Sequence, residues 1–165
     1  MTVEEKVRYI AERCPALAKK INRDEDARGN IFFDMIAENE NNPAMPLTVS
    51  VSDAGCTISV GGIMNITGGK PIPCEAAVYA IDDVISGKVI FVTGYKGKDT
   101  YGVDTPFMTQ IFALTGREDD MTDEYEEFKQ KLSKPLSKLS RIFTSLKGRF
   151  IITNYSGDIW HEICR

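Results

Sequence analysis

The chain has 165 residues, of which 42% are hydrophobic and 27% charged, and its formal net charge is −4. A chain of this length buries roughly 70% of its unfolded surface, and the composition excludes a disordered or fibrous protein. Uninterrupted apolar runs such as 89–92 and 111–114 fall far short of the roughly 20 residues needed for a membrane-spanning helix.

Thr2 followed by Glu5 fits a capping box, and Val3, Val7, Ile10, Cys14, Leu17 and Ile21 recur at helical steps, so an amphipathic helix is expected up to Ile21, with a kink or a helix restart at Pro15. The start Met1-Thr2-Val3-Glu4-Glu5-Lys6 lacks an apolar core and a small-residue cleavage site, which predicts a cytoplasmic protein. Asp24-Glu25-Asp26 forms a charged link, and residues 30–37, rich in Ile and Phe, read as a strand followed by a polar loop over 38–43.

Leu47, Val49 and Val51 alternate with small polar residues, and Cys56, Ile58 and Val60 resume the alternation beyond Asp53-Ala54-Gly55. That period of two predicts a β-hairpin with one buried face. Gly61-Gly62 and Gly68-Gly69 bracket a short strand over 63–67. Ala77, Val78, Ile81, Val84 and Ile85 share one helical face between Pro73 and Gly87; helix is preferred there, with a strand and tight turn as the alternative.

Residues 89–95 read as a buried strand, 96–104 as a glycine-rich charged loop and 107–114 as another strand. Over 120–147 the apolar residues keep near-helical spacing, predicting two helical segments that meet at Pro135, with acidic residues at the start and basic ones at the end to complement the helix dipole. Residues 150–154 and 159–163 flank Ser156-Gly157 and predict a C-terminal hairpin whose Tyr155 and Trp160 cap the core. Because the strands come as hairpin neighbours, the expected fold is a single α+β domain over 1–165. Its sheet is mainly antiparallel, with the N-terminal helix and a long C-terminal helix pair packed on one face.

Motifs that demand a particular chemistry are absent from the sequence. His161 is the only histidine and lacks the second histidine of a helical zinc motif; Cys164, three residues along the same strand, points to the opposite face. The four cysteines, Cys14, Cys56, Cys74 and Cys164, have no metal-knuckle or redox-pair spacing and read as reduced, small hydrophobes. None of the glycine-lysine pairs is followed by the Ser or Thr of a phosphate loop, and the carboxylates Asp119, Asp120 and Asp123 read as helix-start charges rather than calcium ligands. No cofactor or metal is therefore expected, and no catalytic residue is assigned.

Charge is unevenly distributed. Residues 24–104 carry 5 Lys or Arg against 12 Asp or Glu, a net of −7, whereas 128–149 carry 7 basic residues and no acidic one. The basic set reads as a solvated helix face, so nucleic acid is not an expected partner. Clustered carboxylates steer association with basic proteins, and the favoured expectation is a non-enzymatic protein-binding or inhibitory module, immunity-like, acting on a basic protein partner. Asp82, Asp83, Tyr95, Tyr101 and Asp104 are its candidate binding residues. The alternative is a small-molecule-binding or enzymatic domain with a sheet–helix pocket near Tyr79, Tyr95, Tyr101 and Asp104. Either a monomer or a homodimer is compatible with the sequence.

Overall fold

A computed structural model describes residues 1–62, 64–98, 104–113, 134–135, 148–157 and 160–164. The chain opens with helix α1 (Val3–Arg13), whose N-terminus is closed by the expected capping box. Thr2 Oγ1 accepts from the Glu5 amide at 3.2 Å and Glu5 Oε2 accepts from the Thr2 amide at 2.7 Å. Of the two expectations at Pro15 the restart is the one seen, as a 3₁₀ turn over Pro15–Lys19 rather than a continued α-helix, and Ile21 already begins strand β1 (Ile21–Glu25). Proline cannot donate in the ladder and disfavours α conformation at Cys14, so the apolar period runs past the end of the helix that it suggested.

Strand β1 opens a meander with β2 (Ile31–Ala37), β3 (Leu47–Ser52), β4 (Gly55–Val60) and β5 (Met64–Asn65), all antiparallel to their neighbours in that order. Alternation sets its faces: Met35, Leu47, Val49, Val51, Ile58 and Val60 are fully buried on one side, while Thr48, Ser50 and Thr57 are half-exposed on the other. The segment between Pro73 and Gly87 is helical, as α2 (Cys74–Ile85), with Ala77, Ile81 and Val84 buried. Both α1 and α2 pack on the apolar face of the meander, where Ile10 and Leu17 meet its strands.

A second sheet contains β6 (Val89–Lys98), β7 (Asp104–Ala113), β8 (Lys134–Pro135), β9 (Arg149–Asn154) and β10 (Trp160–Cys164), in the order β10-β9-β6-β7-β8. All pairings are antiparallel except β7 with β8. The strands reach into the expected 96–104 loop, and the ladder is irregular around Tyr95, where Pro106 stands opposite. A proline is tolerated in a sheet at such a bulge because no donor is required of it.

The fold is thus α+β with antiparallel sheets and helices. The expected C-terminal helix pair over 120–147 falls outside the described residues except at Lys134–Pro135, which are extended against β7. Proline disfavours helix at the preceding residue, and extension at Lys134 is the outcome of that restriction.

The C-terminal hairpin forms as expected, with Trp160 opposite Thr153. It ties the two sheets together through Tyr155, whose carbonyl accepts from Asn39 Nδ2 at 2.7 Å and whose hydroxyl donates to the Ala37 carbonyl at 3.4 Å. Val89, Phe91 and Tyr155 join the core beneath the first sheet. No helix among the described residues is long and apolar enough to cross a membrane.

Candidate functional site

Strand β1, at the edge of the first sheet, is exposed along its whole length, whereas its neighbour β2 is half-buried to buried. Ile-Asn-Arg-Asp-Glu lacks the apolar alternation needed to bury one face, and all five residues of β1 are exposed. Its turn is nevertheless tightly organised. Asp26 Oδ1 accepts from the amides of Arg28 at 2.8 Å and Asn30 at 2.9 Å, and Oδ2 accepts from Asn30 Nδ2 at 2.8 Å. These bonds, the Asn30 side chain foremost, hold the Asp26 carboxyl below the usual carboxylate range.

The ladder fixes which backbone groups face outward. Ile36 donates to the Lys20 carbonyl at 2.9 Å and Asp26 donates to the Asn30 carbonyl at 3.0 Å, so the even-numbered residues of β1 bond inward to β2. Ile21, Arg23 and Glu25 occupy the alternate positions, and antiparallel geometry turns their N–H and C=O groups to the open edge. The surrounding chain is acidic: residues 20–53 hold 3 Lys or Arg against 7 Asp or Glu. Asp24, Glu25, Asp26, Glu38, Glu40 and Asp53 are exposed, and Lys20 approaches Glu38 at 3.9 Å. On the open face of the meander, half-exposed Asp34 stands opposite Asn22 and Ser50 and accepts a short hydrogen bond from the Ser50 hydroxyl.

The carboxylates singled out in the sequence are separated by α2. Successive helical residues point about 100° apart. Asp82 therefore lines a cleft of about 480 Å³ with Arg13, Cys14, Tyr79 and Ile85, whereas Asp83 is only 3% exposed and pairs with Lys88 at 3.8 Å. Burial, and secondarily the Asp82 charge, push the Cys14 thiol above its ordinary range. Arg13 lies over the Tyr9 ring at 3.6 Å from its centroid. Tyr79 and Asp82 thus line the same cleft.

Tyr95 is half-buried in β6 and stacks against Arg149 at 5.1 Å; Arg149 in turn approaches Glu162 at 3.7 Å. Asp104 begins β7 opposite Lys98, on the same ladder as Tyr95. Tyr101 lies outside the described residues. Among the described residues, no group of three or more His, Cys, Asp or Glu is arranged to hold a metal ion.

One close pair has no signature in the sequence: Cys56 Sγ and Cys74 Sγ lie 3.3 Å apart in the core. Their separation along the chain matches no redox or metal spacing, and only the return of the chain through β5 brings them together.

No family model matches the chain, and no curated protein or solved structure shows significant similarity to it.

Proposed function

We propose that the chain is a non-enzymatic protein-binding module, immunity-like in its logic, that offers the acidic β1–β2 ribbon to a basic partner protein. The observation that carries this reading is the exposed edge of β1, where backbone groups of Ile21, Arg23 and Glu25 face outward amid Asp24, Glu25 and Asp26. An extended basic segment could add to that edge as a further strand, with main-chain bonds supplying affinity and the carboxylates supplying orientation and on-rate. Asp82 lies beside the α1–α2 cleft and Asp83 in the interior, so the ribbon carries the acidic contact in this reading.

The test is capture of the partner by the tagged wild-type chain at low and high salt, against the double variant Asp24→Lys/Glu25→Lys. Binding that falls at least tenfold in the variant, with thermal stability unchanged, supports the ribbon. Equal binding by both proteins removes it.

A second reading has one specific support. The cleft lined by Cys14, Tyr79 and Asp82 has the volume of a small-molecule site. A copurifying metabolite released by Asp82→Lys but retained by the ribbon variant would favour that reading.

A further inference from the structure

Cys56 lies on β4 and Cys74 begins α2, and both are buried, at 0% and 2% exposure. They are held by backbone as well as by packing. Cys56 and Ile72 exchange two hydrogen bonds, each 2.8 Å, in an isolated antiparallel bridge, which fixes the approach to α2 two residues before Cys74. Gly55 serves the same approach: its φ is +130°, and a Cβ there would lie 2.6 Å from the Ile72 carbonyl oxygen. The sulfurs meet at 3.3 Å because the chain on both sides of them is pinned.

We propose that Cys56 and Cys74 are a modification site, a dithiol that closes to a structural disulfide when the chain folds in the presence of a small-molecule disulfide such as oxidised glutathione. The thiolate of one cysteine attacks the small disulfide, breaking its S–S bond and releasing one small thiolate, which takes up a proton. The other cysteine, once deprotonated, attacks the protein sulfur of the mixed disulfide. The Cys56–Cys74 bond forms and the second small thiol leaves. Two protein thiols are oxidised by two electrons, one small disulfide is reduced to two thiols, and the two protons end on those thiols.

Timing follows from burial. In the folded chain neither sulfur is open to a small disulfide, and desolvation, with the hydrogen bond shared with Cys74, pushes the Cys56 thiol far above its ordinary range. Exchange therefore takes place while the chain is folding, and the redox state set then persists. Cys14 is also buried but lies elsewhere in the core, and Cys164 is exposed, so neither competes for the pair in the native structure. Among the described residues no third His, Cys, Asp or Glu joins the two sulfurs to make a metal site. The bond would close the 18-residue span of β4, β5 and their glycine turns onto α2.

The full chain is unfolded and reduced, refolded in a reduced and oxidised glutathione buffer, then denatured under an alkylating agent and mapped by mass spectrometry. The expected product lacks two hydrogens, links the Cys56 and Cys74 peptides and carries alkyl groups on Cys14 and Cys164. Its Tm is expected to rise by about 6 to 12 °C over the reduced chain, as the entropy of an 18-residue closed loop implies. Cys74→Ser should show no such rise. Four alkylated cysteines after oxidative refolding, or a disulfide that includes Cys14 or Cys164, would overturn the proposal; both are read on the wild-type chain and do not depend on the variant.

Discussion

Asp83 and Lys88 pair at 3.8 Å across the turn that ends α2, with the Asp83 side chain 4% exposed and that of Lys88 28% exposed. The Lys88 amide also donates to the Asp83 carbonyl at 2.9 Å, so one residue anchors the helix end twice. Removing one partner of a buried pair leaves a charge without compensation. Asp83→Asn is expected to cost about 1–3 kcal/mol and Asp83→Lys about 3–5 kcal/mol. Urea denaturation checks both; a cost below about 0.5 kcal/mol for the lysine variant would show that the pair contributes nothing.

Gly55 tests the junction between the meander and α2. An alanine there must adopt a φ of +130° and place its Cβ 2.6 Å from a backbone oxygen that cannot move without breaking the Cys56–Ile72 bridge. Gly55→Ala should therefore lose about 2–3 kcal/mol. Gly62→Ala, at a φ of +69° with open space around the added methyl, should lose less.

Cys14 gives a readout of the α1–α2 cleft. Its thiol is raised by burial first and by Asp82 second. Asp82→Asn removes the second cause, so alkylation of Cys14 at pH 8 should become faster, while Cys164, exposed on β10, reacts first in both proteins. An unchanged Cys14 rate would show that the Asp82 charge does not reach the sulfur.

Acid should loosen the ribbon tip before the core. The Asp26 carboxyl is depressed in the folded chain by its bonds to Asn30 and Arg28. A depressed carboxyl contributes stability that is complete above its unfolded value of about 3.9 and is lost as pH falls through the lower folded value. Amide signals of residues 26–30 should therefore shift together on that acid limb, and Asp26→Ala should abolish the transition.

Arg23→Pro separates edge from charge in the ribbon. The Arg23 amide faces outward, so proline leaves the β1–β2 ladder intact while removing a donor from the edge. Strand addition by a partner should fail with little change in Tm, whereas binding through carboxylate side chains alone would survive.

Much of the fold was legible because local signals agreed with long-range packing. The Thr2–Glu5 box marked the start of α1, and the period of two in 47–60 gave both the β3–β4 hairpin and its buried face. Pattern misled where it outran the backbone: Ile21 keeps helical spacing with Leu17, yet Pro15 had already ended the helix. The site was less legible. Asp82-Asp83 looks like one acidic feature until α2 turns one carboxylate to a cleft and the other inward. The Cys56–Cys74 contact depends on a return path through two glycine turns, which no spacing rule encodes.

The order of strands carries a kinetic consequence. Every partner in the first sheet is the next strand along the chain, so its pairings close short loops, and α2 follows directly to cover it. In the second sheet Ile90 must find Asn154 and Tyr95 must find Arg149 across all that lies between them. Low-contact-order structure forms early and distant pairing late. The N-terminal half would then serve as the template on which the C-terminal hairpin docks, with Tyr155 and Asn39 as the latch that closes last.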